Sequence, residues 1–422
     1  MFRRILHTLF TRSLAALASV GIAIVVSRLL GAEGKGDQSL IITTVSMILV
    51  GSNLLAGAAL VYLAPRYRLQ RLAFPAVAWS AMVALLAYFL LRLLPLVNVQ
   101  FIPDVALLSF IAALSGMSGN FLIGRERIAR ANILALLQPV LVLAWLGGSY
   151  GLHGFIELND YVSALYFSFG INSLLGFLLL FPEWRKAPAH LITDERPLLR
   201  LMWHYGMMNQ LSHILQLLSF RMSFYFLDAW VDTASVGLYS NAVALMESVW
   251  LISKSIAVVQ YARISNSDDE TYKQQLTLSL NRAVLVITLA VVLVLSVLPS
   301  SLWVWIFGPE FDGLPSLMRL LAPGTLFYTM ALLFGHYFSG NGRYHLNTLA
   351  SFAGLVVALI LSLLLIPYIG AAGAALASSL SYMTTAYWAF RFFRKDAGAV
   401  WGDLLFKRSD WIQIKGLLSH KA

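Results

Sequence analysis

Twelve long apolar runs limit what this chain can fold into more than any other feature. They lie near 13–31, 38–63, 74–94, 105–122, 133–149, 162–181, 201–227, 236–262, 283–307, 317–338, 346–367 and 371–392. A helix rises about 1.5 Å per residue, so about 20 apolar residues cross the ~30 Å of hydrocarbon in a bilayer. The chain is 59% hydrophobic and 12% charged, against about 45–50% and about 25% in soluble domains. Its runs are solid rather than alternating, which excludes a transmembrane barrel. The expectation is therefore an all-α polytopic membrane protein with 12 transmembrane helices. Soluble enzymes, disordered chains and single-pass receptors are excluded. Cysteine is absent, so disulfides and thiolate metal sites are excluded too. The start, Met1-Phe2-Arg3-Arg4, resembles a signal peptide, but the apolar stretch continues to Leu30 without a small-residue cleavage site. It reads as a retained first span.

Charge orients the spans. The 30 basic and 20 acidic residues leave a net charge of +10, which in a membrane protein reflects basic loops retained in the cytoplasm rather than nucleic acid. Alternate connections carry Arg3, Arg4 and Arg12; Arg66, Arg68 and Arg71; Arg125, Arg127 and Arg130; and Arg185, Lys186, Arg196 and Arg200. The series continues through Arg263, Lys273 and Arg282, then Arg343, then the basic tail from Arg391 to Lys421. The opposite connections hold Lys35, with Arg28, Arg92 and Arg319 at span ends, among Glu33, Asp37, Asp104, Glu157, Asp160, Asp228, Asp232, Glu310 and Asp312. Both termini are expected in the cytoplasm, and the number of spans is expected to be even.

The halves repeat. Gly119-Asn120-Phe121-Leu122-Ile123-Gly124-Arg125-Glu126-Arg127 matches Gly335-His336-Tyr337-Phe338-Ser339-Gly340-Asn341-Gly342-Arg343 at an offset of 216 residues. Gly151-Leu152-His153-Gly154 matches Gly370-Ala371-Ala372-Gly373, and Gly36-Asp37-Gln38-Ser39 sits like Gly237-Leu238-Tyr239-Ser240. Six spans return the chain to its starting side, so the repeats are parallel, and transporters built from repeats place their substrate between them. The expected organisation is an N-terminal lobe over 1–181, a cytoplasmic linker over 182–200, a C-terminal lobe over 201–393 and a tail over 394–422. In that tail Val400-Trp401, Leu404-Leu405-Phe406, Trp411-Ile412 and Leu417-Leu418 alternate with Lys407, Arg408 and Lys415. This is the pattern of an amphipathic segment on the inner leaflet.

Polar residues inside the runs are the candidate site. Span 2 carries Ser46, Ser52 and Asn53; span 7 carries Asn209, His213, Gln216 and Phe220 as a stripe, with Gln210 and Arg221 along its edge. On span 8, Ser240, Glu247 and Lys254 recur every seven residues and share a face, flanked by Asn241, Ser248 and Ser255. Bland roles exist for most of them. Ser and Asn bond neighbouring helices, as does His213; Lys254 can snorkel to the boundary, and Arg28 can meet lipid headgroups at the outer end of span 1. Glu247 is harder to dismiss, because an ionised acid near a span centre costs roughly 2.5–3.5 kcal/mol. It must be protonated, paired with Lys254 or Arg221, or solvated in a cavity. The candidate substrate-binding set is Arg28, Asn53, Asn209, His213, Arg221, Asn241, Glu247 and Lys254. The eight histidines show no HExxH or repeated metal-ligand spacing, and no Ser-centred elbow stands out. Neither a metal, a cofactor nor a catalytic residue is expected. The cluster Gly31, Gly34 and Gly36 has no phosphate-loop Lys-Ser/Thr after it and reads as a tight outer turn.

The stretch Ser27-Arg28-Leu29-Leu30-Gly31-Ala32-Glu33-Gly34-Lys35-Gly36 resembles the "LG-x-x-G-x-G" signature of polysaccharide (O-antigen type) flippases. Gly237-Leu238-Tyr239-Ser240, Ile306-Phe307-Gly308-Pro309-Glu310-Phe311 and Leu320-Leu321-Ala322-Pro323-Gly324 are similar to the same family. So is the stretch from Leu365-Ile366-Pro367 through Gly370, Gly373 and Ala374-Ala375 to Ala377-Ser378. The resemblance covers essentially the whole chain. It implies a member of the multidrug/oligosaccharidyl-lipid/polysaccharide exporter superfamily, with two six-helix repeats forming a V. It further implies translocation of an undecaprenyl-pyrophosphate-linked oligosaccharide across the bacterial inner membrane, for O-antigen, capsule or exopolysaccharide synthesis. The partners implied are that polyprenyl-pyrophosphate-linked oligosaccharide, membrane lipids and other glycan-assembly membrane proteins. Arg28, Arg221 and Lys254 are then the charges that meet the pyrophosphate. Family members often line the cavity with many Lys and Arg, whereas this chain has few deep charges. The alternative is a cation-coupled multidrug exporter, whose bacterial members commonly use an acid in the first span. Ser13 to Gly31 holds none. A non-transporting scaffold gives no reason for Glu247.

Overall fold

The computed structural model describes residues 2–184 and 197–404, and the side chains of all of these except 2–10, 208 and 209. The described residues are helical nearly throughout, with no strand among them. The helices are α1 (Phe2–Ala56), α2 (Ala58–Leu63), α3 (Leu69–Leu93), α4 (Ile102–Gly124), α5 (Ile128–His153), α6 (Leu158–Trp184) and α7 (Leu198–Trp230). They continue with α8 (Thr233–Ser248), α9 (Trp250–Ser265), α10 (Glu270–Val297), α11 (Ser300–Phe307), α12 (Leu314–Gly340) and α13 (Tyr344–Ala397). Among the described residues, nine helical stretches are long and apolar enough to cross a membrane. Most of the tail expected to be amphipathic lies outside the described residues, as does most of the 182–200 linker.

Two of these stretches each hold a pair of expected runs. α1 loses helical geometry at Gly31 (φ 71°, ψ −170°) and α13 at Ile369 and Gly370 (φ 53°, ψ −131°). Glycine tolerates these positive φ values because it has no Cβ to clash. In α13 the chain folds back there. A methyl on Gly373 would sit 2.7 Å from the Leu365 carbonyl, whereas eight residues along a straight helix are about 12 Å apart. Ser381 donates to the Gly354 carbonyl at 2.8 Å, closing the hairpin lower down. Gly373, Ala374, Ala375 and Ala377 are all buried, as expected where small residues let helices approach inside a bilayer. α12 packs tightly on this hairpin at Gly324. A methyl on Gly324 would lie 2.4 Å from the Ser379 Cα, and the Gly324 N–H donates to the Ser379 hydroxyl at 2.9 Å.

The repeated motif folds into the same turn twice. Arg127 N–H bonds the Leu122 carbonyl at 2.7 Å and Glu126 N–H the Ile123 carbonyl at 2.9 Å; at the matching positions Arg343 bonds Phe338 at 2.8 Å and Gly342 bonds Ser339 at 3.1 Å. This pair of bonds is a Schellman cap, which needs a left-handed residue. Glu126 takes φ 60° and Gly342 φ 72°. The glycines before the caps are also equivalent: a methyl on Gly124 would strike Ala64 and the Val61 carbonyl, and one on Gly340 would strike Ile264. After each cap an arginine reaches an acid at the end of the sixth expected run of its half. Arg127 pairs with Glu183 at 2.8 Å, and Arg343 pairs with Asp396. Glu126 is exposed and, among the described residues, is the one non-glycine at positive φ. Glu126→Gly should therefore raise stability by about 0.5–1 kcal/mol, since a left-handed L-residue costs roughly 1–2 kcal/mol. Thermal unfolding in detergent checks this, and a lower Tm would refute it.

The chain divides into two compact units, Met1–Ile214 with Ile306–Gly308, and Leu215–Trp305 with Pro309–Ala422. α7 contributes its first half to one and its second half to the other. In the first unit Gly206 of α7 presses on the Leu54 backbone, and Trp203 packs edge-on against Trp79 at 5.5 Å. Leu60, Leu63, Leu72, Phe121, Leu122 and Leu180 form the core below them. In the second unit Phe334, Tyr337, Phe338, Phe390 and Phe393 lie in the hydrophobic core.

Candidate functional site

The second unit builds its polar centre from residues that sequence spacing does not join. Arg221 lies on α7 and Glu247 at the end of α8, and their side chains meet in a two-pronged ion pair. Arg221 Nη1 donates to Glu247 Oε1 at 2.9 Å and Nη2 to Oε2 at 2.8 Å. Such fork-on-carboxylate pairs are stronger and more directional than single bonds. Tyr382 of α13 donates its hydroxyl to the same Oε1 at 3.1 Å. Nη1 also touches the Phe220 carbonyl at 3.3 Å, and the guanidinium lies 5.5 Å from the Phe224 ring centre. The pair is only partly covered, with 23% of the Arg221 side chain and 16% of Glu247 accessible. The hydrocarbon cost of Glu247 is thus met by pairing with Arg221 and by Tyr382. Removing one partner of such a pair costs about 3–5 kcal/mol, because the other charge is stranded.

Beneath the pair lies a floor of rings. Phe220, Trp250, Tyr328 and Tyr382 pack with centres 4.5 to 5.5 Å apart. Trp250, Tyr328 and Tyr382 are buried to within 2%. Trp250 Nε1 donates to the Thr325 carbonyl at 3.0 Å, which meets the polar demand of the indole. These rings bring α7, α9, α12 and α13 together, so the carboxylate rests on a packed support rather than a loop. None of Trp250, Tyr328 and Tyr382 stood out in the sequence. Tyr382 follows Ser378-Ser379-Leu380-Ser381, a large polar-tipped residue at the end of a small-residue run, and that contrast is its only local signal.

The remaining candidates are scattered. Lys254 on α9 is exposed, with its ammonium 5.9 Å from the Trp250 ring centre. Asn241 is buried on α8 beside Ser240, whose hydroxyl donates to the Gly237 carbonyl. The α7 stripe separates by role: His213 is exposed, Gln216 bonds Ser351 at 3.3 Å, and Phe220 joins the ring floor. The Asn209 side chain lies outside the described residues. Along the same helix Ser219 bonds Ser381 at 2.8 Å and Ser223 bonds Ser362 at 3.2 Å, so much of this polar face joins helices. In the first unit Asn53 is half-buried, and its carbonyl accepts from Gly57 where α1 gives way to α2. Ser46 and Ser52 bond carbonyls of their own helix. Arg28 is exposed and donates from Nε to the Ile306 carbonyl at 2.8 Å. Of the eight candidates, the structure joins Arg221 with Glu247. Among the described residues no group of three or more His, Asp or Glu is placed to hold a metal ion.

No family model matches the chain. An uncharacterized membrane protein of Methanocaldococcus jannaschii is 21% identical over 213 residues, which are 50% of this chain and 42% of that protein. The chain therefore spans less than half the length of the curated relative it matches. Solved structures match much further. A multidrug-resistance MATE-family transporter of the MOP superfamily, in its inward-facing conformation, superposes with a TM-score of 0.70 at 15% identity, over 97% of this chain and 96% of that one. The lipid II flippase MurJ, in an inward closed conformation, gives 0.68 at 14% identity over 99% and 96%. A MOP-superfamily transporter from Pyrococcus furiosus, for which a binding pocket of reversed polarity is described, gives 0.64 at 14% identity over 94% and 95%. At these identities the likeness carries the fold, and the fold is that of MOP-superfamily transporters.

Proposed function

We propose that this chain is a flippase that moves a polyprenyl-pyrophosphate-linked oligosaccharide from the cytoplasmic to the outer leaflet by alternating access. The observation that carries the reading is Arg221, a guanidinium held within an apolar bundle yet 23% accessible, whose hydrogen bonds to Glu247 and the Phe220 carbonyl use Nη1 and Nη2 and, among the described residues, not Nε. A lipid-linked glycan can leave its polyprenyl tail in hydrocarbon, but its diphosphate needs a wet, cationic path. Arginine suits that head because its planar fork takes two oxygens at once. Glu247 cancels the charge of Arg221, so the exposed ammonium of Lys254 makes the excess on the second unit's candidates cationic. Outward movement of an anion is also downhill in an inside-negative membrane, by roughly 2.3 kcal/mol per charge per 100 mV crossed. The fold shared with a lipid II flippase and the exporter-like motifs support the same reading.

The distribution of Lys and Arg supports cytoplasmic termini, and the resemblance to O-antigen type flippases supports a bacterial plasma membrane. Reporter fusions at Phe101, Glu157 and Asp312 should read as outside, and fusions at Arg68, Arg127 and Arg196 as cytoplasmic. An outside signal at Arg196 would overturn the parallel arrangement of the halves. Flippase activity itself is tested in proteoliposomes carrying a fluorescent undecaprenyl-pyrophosphate oligosaccharide and a membrane-impermeant quencher. Protein-dependent exchange between leaflets supports the reading, and its absence with correctly inserted protein defeats it. The second reading, a cation-coupled multidrug exporter, draws on the equally close fold of the MATE-family structures. Drug resistance on expression, with no effect on a lipid-linked glycan, would favour it.

A further inference from the structure

We propose that Glu247 is the resident counter-ion of Arg221, and that the diphosphate of an entering lipid-linked ligand displaces it. This rests on the flippase reading and specifies how the same site tells an occupied state from an empty one. An arginine left unpaired in an apolar bundle is costly, so the empty protein must supply an anion of its own. Glu247 does so with two oxygens on the two terminal nitrogens of the fork, at 2.9 and 2.8 Å. A phosphate offers the same two-oxygen edge, which makes it a direct competitor for that face.

Three features favour exchange over a permanent strut. The pair is partly accessible rather than sealed, at 23% and 16% of the two side chains. Glu247 and the Phe220 carbonyl engage only Nη1 and Nη2, so among the described residues Arg221 Nε is open to an arriving oxygen before the carboxylate has left. Glu247 keeps a second donor when released, because Tyr382 holds Oε1 independently of Arg221 at 3.1 Å. The buried rings of Trp250 and Tyr328 and the Trp250 bond to the Thr325 carbonyl fix the support, so the carboxylate arm is the part that moves. Lys254, seven residues beyond Glu247 across the break between α8 and α9, is exposed and can take a second phosphate. Such a site favours ligands that present two adjacent anionic oxygens, and a cation has no means of displacing the carboxylate.

The test measures binding of farnesyl diphosphate and of inorganic pyrophosphate to the purified full chain in detergent. Glu247→Gln removes the competitor, so it should lower the Tm of the empty protein, bind farnesyl diphosphate about tenfold tighter, and recover more Tm on binding than the wild type. Glu247→Asp keeps the charge but shortens the arm, and should shift affinity the same way by less; it carries the test if the glutamine variant does not fold. Unchanged or weaker binding by these variants would overturn the exchange, since Glu247 would then be holding Arg221 in position. Failure of a folded variant to bind either probe would overturn it equally. Binding of both probes should tighten by a similar factor, since each presents the diphosphate that competes with Glu247; absolute binding of farnesyl diphosphate no tighter than that of pyrophosphate would defeat the lipid-linked reading while leaving the exchange in place.

Discussion

Arg221→Ala should abolish outward movement of the lipid-linked glycan while the protein still inserts in the membrane. The substitution removes the fork proposed to receive the diphosphate and strands Glu247, whose remaining donor is the Tyr382 hydroxyl. The stranded charge alone costs about 3–5 kcal/mol of stability, so transport must be compared at equal amounts of folded protein. Arg221→Ala/Glu247→Gln serves as the control: it removes both charges, recovers much of that stability and should remain inactive. Arg221→Lys should restore only part of the activity, because an ammonium is a point charge and cannot bind two oxygens in one plane. The measurement is leaflet exchange in proteoliposomes, or surface glycan in a host that depends on this protein. Normal surface glycan from a well-expressed Arg221→Ala/Lys254→Ala variant would defeat the cationic mechanism and leave the fold untouched.

Gly324→Ala should be among the most destabilising single-methyl changes in the chain. The added carbon would lie 2.4 Å from the Ser379 Cα and 2.5 Å from its carbonyl oxygen, so backbone rather than a flexible side chain stands in the way. Relief requires α12 and the second arm of α13 to separate, and that would strain the hydrogen bond from Gly324 N–H to the Ser379 hydroxyl. Pro323 precedes the crossing, and its ring already denies α12 one internal bond there. Overpacking of well-filled interiors costs about 1–3 kcal/mol and more where the backbone must move; a loss of about 3 kcal/mol or more is expected here. Gly116→Ala on α4 is the matched control, because nothing lies within 4 Å of its added methyl. Thermal unfolding of the two variants in the same detergent decides the matter. Equal Tm values would show that the crossing is not close.

Much of the architecture is local and therefore legible from sequence. Runs of apolar residues specify helices because every backbone polar group in hydrocarbon must be satisfied within the segment. Gly31 and Gly370 mark the bends because positive φ is nearly free for glycine and costly for other residues. The motif shared by Gly119–Arg127 and Gly335–Arg343 reproduces its turn bond for bond, since a Schellman cap depends on a handful of consecutive residues. The tertiary structure alone decided which charges meet. From spacing, Glu247 had two potential partners: Lys254 shares its helical face, and Arg221 sits on another helix. The structure pairs it with Arg221 and leaves Lys254 over the Trp250 ring. The same holds for Tyr382 reaching Glu247 from 135 residues away, and for Gly324 meeting Ser379 across 55. Helical periodicity tells which residues share a face. Which faces meet, and at what height, depends on how small and large side chains interlock between helices, and no segment of the sequence carries that by itself.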